Sequence, residues 1–195
     1  MQGFVESTTA GFELKMALEG EPGSGKTFTA LQIANELVDP ADVWVIDSEN
    51  GSSKKYKRFF PKFRQLILQD FNPRTYTAAL QHTIKQGSKL TIVDSFSHAW
   101  KECTKLADTI GNRPGKNRFT AWADVTPMWD GLVESVIRAP IHVIATMRVK
   151  TGYVVEENKS GKQAPKSVGL ESVVREGTAY EFDIVGRIDD DLAHR

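Results

Sequence analysis

Apolar residues recur along this chain in two alternating rhythms. Short apolar runs of strand length alternate with longer segments spaced at three and four residues, as amphipathic helices are. Phe12-Glu-Leu-Lys-Met-Ala-Leu18 alternates and closes on three apolar residues, which predicts a strand buried against helices. Beyond Lys26, the positions Phe28, Leu31, Ile33, Ala34 and Leu37 predict a helix that Asp39-Pro40 ends. A second strand is expected at Val43–Ile46 and a third at Phe63–Leu68. Between them lies a polar, basic stretch, Asn50–Arg58, read as a loop entering a short helix. Asn72-Pro73 predicts a helix start running to about Gln86, with proline in the first turn, where its missing N–H is harmless. Leu90–Val93 and Ile141–Ala145 are continuous apolar runs of the kind found in parallel strands covered on both faces.

Between these two runs the pattern predicts a helix over 101–110, a loop at Gly111-Asn-Arg-Pro-Gly115 and a helix over Met128–Arg138. Beyond Lys150, Tyr153–Val155 and Ser172–Val174 read as hairpin strands around a polar loop, Glu156–Lys166, with a last strand near Tyr180–Val185. Strands alternating with helices predict an α/β fold, a mostly parallel twisted sheet with helices on both faces, in three layers, with C-terminal β-hairpins.

The chain has 195 residues, which suits one domain: a short arm at 1–11, the core, and a hairpin-rich part at 151–195. Lys plus Arg and Asp plus Glu balance at 25 each, so no global field draws it to nucleic acid or an anionic membrane. The single Cys103 excludes a disulfide framework within the chain. No apolar run approaches membrane-spanning length, and the polar start resembles no secretory signal, so a cytoplasmic location without membrane contact is expected.

Gly20-Glu-Pro-Gly-Ser-Gly-Lys-Thr27 is the segment that declares its chemistry. It fits G-x-x-x-x-G-K-[ST], a pattern that arises by chance in a chain this long with odds of roughly one in a hundred. It also lies between a predicted strand and a predicted helix, as a phosphate-cradling loop must. Glycines at 23 and 25 let the backbone wrap around phosphates, and the helix start adds positive potential. Glu21, Pro22, Gly23, Ser24, Gly25, Lys26, Thr27 and Phe28 are therefore the expected nucleotide-binding segment. Lys26 would reach the β- and γ-phosphates of ATP, and Thr27 would offer its hydroxyl to Mg²⁺. Asp94, ending an apolar strand, is the expected second metal partner.

Ser95, not Glu, follows Asp94, so a carboxylate to orient an attacking water must come from elsewhere. Glu49, just past the second strand, fits, with Asp47 its nearest rival; both would emerge with Asp94 at the carboxyl edge of the sheet. Thr146 and Arg148 belong to the same edge. Arg148 reads either as a γ-phosphate contact or as half of a surface ion pair.

Taken together, Gly20–Thr27, Ile46-Asp-Ser-Glu49 and Thr91-Ile-Val-Asp94 resemble the RecA-like recombinase core, and more narrowly the short phage-encoded RecA-like ATPases, sometimes described as AAA-type and linked to single-strand annealing. Tyr180-Glu-Phe-Asp183 is similar to a segment of that group. The resemblance implies an ATPase with Glu49 as catalytic carboxylate, a homo-oligomer, and action on single-stranded DNA in phage-type recombination or replication. It also implies a basic pair supplied to the neighbouring subunit, expected beyond Arg195, and loops near 111–120 and 156–166 that carry the DNA. Arg113, Lys116 and Arg118 beside Phe119 and Trp122, and Lys159, Lys162 and Lys166, suit that role. The Lys54–Arg58 run is a third candidate. Two other readings stand beside this one: a nucleotide-gated assembly or loading module with negligible turnover, and a helicase-type motor core. Trp44, Trp100 and Trp129 read as core, and His82, His98 and His142 show no metal-ligand spacing.

Overall fold

Strands whose side chains are apolar on both faces need cover on both, and the chain supplies it. The computed structural model describes residues 11–157 and 163–189. In chain order it contains β1 (Lys15–Gly20), α1 (Lys26–Leu37), β2 (Val43–Asp47), β3 (Arg64–Ile67), α2 (Pro73–Lys85), β4 (Leu90–Asp94), α3 (Phe96–Gly111), α4 (Arg118–Ile137), β5 (His142–Glu157), β6 (Gln163–Ser172) and β7 (Ile184–Ile188). The sheet order is β3-β2-β4-β5-β1-β7, with every neighbouring pair parallel; β6 pairs antiparallel with the outer part of β5.

Successive residues of one strand enter opposite cores, as the two-residue period requires. Leu18, Val43, Val45, Leu90, Ile92 and Ile144 pack with Ala30, Leu31 and Ala34 of α1. Ala17, Ile46, Val93, Val143 and Ala145 pack on the other face with α2, α3 and α4, around Tyr76, Phe96, Cys103 and Trp129. The sheet is thus the middle of three layers, as the sequence predicts. Asn72 caps α2 by accepting from Arg74 N at 3.0 Å, and Asn117 forms a capping box with Thr120 at the start of α4.

The two helices after β4 form a hairpin on the way to β5. α4 ends at the amino edge of the sheet, where Lys15 Nζ donates to Ala139 O at 2.8 Å and Ile141 O at 2.7 Å. Early α3 meets late α4 (Phe96 on Trp129, ring centroids 5.1 Å apart), and Asp108 near the end of α3 pairs with Arg118 at 2.9 Å. The two helices are therefore antiparallel, and α3 runs away from the sheet. At 1.5 Å per residue it carries the 112–117 loop about 24 Å from its start. β5 does likewise: past Arg148 it leaves the parallel sheet and continues to Glu157 in a hairpin with β6, bulged at Gly152/Tyr153. Both projections rise from the carboxyl edge.

Other boundaries also move. α3 begins at Phe96 rather than residue 101, and α4 at Arg118 rather than Met128, with Pro127 inside it. The first strand is Lys15–Gly20 rather than Phe12–Leu18, and a 3₁₀ turn over Thr178–Glu181 takes up Tyr180, so the last strand begins at Ile184. Of the sequence expectations, the arm at 1–11 (except Gly11), the end after Asp189 and the middle of the 156–166 loop lie outside the described residues. Among those residues, no helix is long and apolar enough to cross a membrane.

Candidate functional site

β1 delivers Gly20 to the carboxyl edge, and the loop that follows is shaped by its backbone. Gly23 and Gly25 both have φ of +91°, a conformation that side chains disfavour, although a Cβ at either would meet nothing within 4 Å. Gly20 is different: a side chain there would run into Ser24 Oγ. α1 opens at Lys26 with left-handed Gly25 as its N-cap and no side chain capping it. Lys26 is buried and folds back over the loop, its Nζ donating to Gly20 O at 2.9 Å and Glu21 O at 2.6 Å. Ser24 Oγ is buried against Gly20 without a hydrogen-bond partner, an unmet polar atom within the loop.

Asp94 sits beside this loop because β4 pairs with β2 and β5 in the middle of the sheet. Thr27 Oγ1 donates to its Oδ2 at 2.7 Å, and Thr146 Oγ1 to its Oδ1 at 2.6 Å. The carboxylate is 2% exposed, and burial pushes its pKa up against the two hydroxyl bonds, with Glu49 and Asp47 adding to the rise. Among the described residues no group of three or more His, Cys, Asp or Glu side chains is placed to hold a metal. One hydroxyl and one carboxylate suit a hard cation such as Mg²⁺ that keeps its waters and shares phosphate oxygens. The cradle and this donor pair fit a nucleotide with Mg²⁺.

Asp47 and Glu49 divide cleanly. Asp47 is fully buried and holds the turn after β2: it accepts from Glu49 N at 2.7 Å, Gly51 N at 3.1 Å, Ser53 N at 3.0 Å and Gln65 Nε2 at 2.8 Å. Glu49 instead projects into the cleft, where Arg148 grips it: Nη2 donates at 2.6 and 2.7 Å to the two carboxylate oxygens, and Nε at 3.2 Å. Arg148 is therefore paired inside the cleft, not on the open surface.

Pro22, Gly23, Gly25, Lys26, Thr27, Glu49, Asp94 and Arg148 all line one cleft of about 210 Å³. Glu21, Ser24 and Phe28 do not line it. The Phe28 ring packs instead against Tyr56, Phe59 and Phe60, with centroids 5.2–5.9 Å away. That cluster presses the 3₁₀ helix Ser52–Arg58 onto α1 and brings Ser52, Lys55 and Tyr56 to the cleft wall. Sequence reasoning missed these three; the only signal was that the basic run follows Glu49 closely. The rest of the run is largely engaged within the chain, Lys57 over the Phe63 ring and Arg58 over Phe59.

Ser48 and His98 were also missed as neighbours of Glu49. His98 Nδ1 lies 2.8 Å from Ser48 Oγ, and its Nε2 lies 3.8 Å from Glu49 Oε1. Burial, with Arg148 adding to it, holds the ring below the usual histidine range against the pull of Glu49. At the hairpin tip, Arg118 pairs with Asp108 and Lys116 with Asp124 at 3.9 Å, while Phe119 is 88% exposed. Trp122 stacks on Trp100, and Trp129 is core, as expected.

Comparison with known proteins adds four findings. The profile of the family described as AAA domain matches residues 13–194. Among solved structures, the chain is similar to an ATPase from the type III secretion system of pathogenic bacteria (16% identity, TM-score 0.46), covering 73% of this chain and 47% of that one. It is similar also to the flagellar accessory protein FlaH from Methanocaldococcus jannaschii (11% identity, TM-score 0.35), covering 79% of this chain and 77% of that one. No curated protein matches.

Proposed function

This chain belongs to the AAA domain family, and from that premise we propose that it is a single-domain, Mg²⁺-dependent ATPase acting on single-stranded DNA in phage-type recombination or replication. One observation carries the ATPase reading. The Thr27–Asp94 hydrogen bond of 2.7 Å fixes the phosphate loop against the β4 acid, in a cleft that Glu49 also enters.

The loop from Glu21 to Thr27 wraps the phosphates, with Lys26 Nζ leaving the Gly20 and Glu21 carbonyls for the β- and γ-oxygens. Thr27 and Asp94 would hold Mg²⁺, which when bound would supply charge neutralisation for the phosphates. Glu49 orients the attacking water and takes up its proton, and ATP and water yield ADP and phosphate. Glu49 must first part from Arg148, whose guanidinium turns to the γ-phosphate, a bidentate site of like geometry. The α3–α4 tip near 111–120 and the β5–β6 hairpin near 156–166 offer the DNA contacts. The described parts of α3–α4 and of β5 and β6 extend from the same edge as the cleft, and Phe119 offers a stacking face.

The bidentate Glu49–Arg148 pair also favours a second reading, in which the chain binds ATP, assembles as a homo-oligomer or loads a partner, and turns over negligibly. ATP turnover, with and without Mg²⁺ and a single-stranded oligonucleotide, separates them. The leading reading expects Mg²⁺-dependent turnover stimulated by the oligonucleotide. Nucleotide-dependent mass by light scattering without turnover supports the second, strand unwinding indicates a motor core, and absence of ATP binding refutes all three.

A further inference from the structure

His98 is held in place at three points. Its Nδ1 lies 2.8 Å from Ser48 Oγ and 3.1 Å from Ser48 O, and its face stacks on Phe71 at 5.2 Å and 28°. Ser48 in turn is tied to the strand that carries Asp94. Its N donates to Asp94 O at 2.6 Å, and its Oγ accepts from Ser95 N at 2.9 Å. The ring is thus oriented by the same backbone that sets the metal-side acid, and its other nitrogen faces Glu49.

The tautomer of the ring decides what it presents to Glu49. Ser48 Oγ accepts from Ser95 N, and its proton has Nδ1 at 2.8 Å, Asp94 O at 3.1 Å and Ser95 O at 3.3 Å to go to, Nδ1 being the shortest contact; the opposite tautomer would instead donate Nδ1–H to Ser48 O at 3.1 Å. A neutral ring accepting from Ser48 Oγ carries its hydrogen on Nε2, aimed at Glu49. At 3.8 Å from Oε1 the contact is too long for a hydrogen bond while Arg148 occupies the carboxylate. A shift of about 1 Å brings it to bonding distance. A glutamate released by a bidentate guanidinium would otherwise keep its full rotamer freedom, and misplacing a reacting group by 1 Å costs up to about a hundredfold in rate.

Building on the reading of Glu49 as the water-orienting carboxylate, we propose that His98 is a positioning residue: its Nε2–H takes hold of Glu49 when Arg148 turns to the nucleotide.

Three variants separate positioning from packing. His98→Gln supplies an amide near the Nε2 position, His98→Asn supplies one near Nδ1, and His98→Ala supplies neither. Positioning predicts that Ala and Asn lower kcat by about ten- to a hundredfold with KM unchanged, and that Gln restores most of the loss. Restoration by Asn and not by Gln, or wild-type kcat in all three, overturns the proposal. A readout without turnover is the ¹⁵N NMR spectrum of the His98 ring in the nucleotide-free protein. The expected result is the Nε2–H tautomer, with an ionisation pH that falls in Glu49→Gln and rises in Arg148→Gln. An Nδ1–H ring, or a titration indifferent to Glu49→Gln, overturns the coupling even where the wild type does not hydrolyse ATP. Full turnover by Glu49→Gln with that NMR coupling intact would overturn the role of Glu49 and, with it, the positioning function.

Discussion

Replacing Asp94 by Asn should stabilise the ligand-free protein while removing its response to Mg–ATP. The carboxylate is 2% exposed, and its hydrogen-bond partners, Thr27 and Thr146, are neutral hydroxyls at 2.7 and 2.6 Å. Burial raises its pKa, and Glu49 and Asp47 push the same way. The folded state therefore holds this proton more tightly than the unfolded chain, whose value is about 3.9. The contribution of Asp94 to stability is greatest below that value and is lost as pH rises through the folded one, so ionisation of this buried carboxyl costs the fold stability. Asparagine keeps the shape: its carbonyl accepts from one threonine and its amide donates to the other. Removing such a functional-site cost yields about 1–2 kcal/mol. For a chain of this size that raises Tm by about 2–8 °C. Thermal melts of both proteins, with and without Mg–ATP, test this. The variant should melt higher alone, lose the pH dependence that Asp94 contributes above the unfolded value, and gain nothing from Mg–ATP, which should stabilise the wild type. A variant that melts below the wild type without ligand refutes the reasoning.

Trp129→Ala should cost about 3–5 kcal/mol in urea unfolding, because Trp129 is 1% exposed between Phe96 and Trp100, each with its ring centroid 5.1 Å away; a loss under 1 kcal/mol would mean the α3–α4 packing is wrong. Cys103 is fully buried, and burial pushes its thiol up to about 12. A thiol reagent at pH 8 should thus label it only at the rate of unfolding, and fast labelling in the folded protein would contradict its place in the core.

The sheet was legible wherever both faces of a strand are apolar. Val43–Ile46 and Leu90–Val93 can be buried in only one kind of place, and Asp47 and Asp94 fall in register at their ends. The α3–α4 hairpin was harder, because a helix that leaves the sheet has polar turns where a crossover helix would be apolar. Arg113, Lys116 and Asp124 hid the start of α4, and Pro127 argued against the helix that contains it. The places of Glu49 and Lys26 could be read because one follows the end of β2 closely and the other opens α1 within the Gly20–Thr27 motif. Ser48 and His98 could not, since they meet across fifty residues of sequence through the β2–β4 pairing. Phe28 was misjudged because it follows Thr27 directly, while the first turn of α1, to which it belongs, rotates its ring onto Tyr56 and Phe60.

Measuring Mg–ATP affinity and turnover together in Lys26→Ala and Glu49→Gln tests the central claim most directly, since it asks whether one cleft both holds and cleaves the nucleotide. Lys26→Ala should lose ATP binding. Glu49→Gln should bind as the wild type does and turn over at least about a hundredfold more slowly. Undiminished ATP binding by the first variant, or wild-type turnover by the second, would contradict the account.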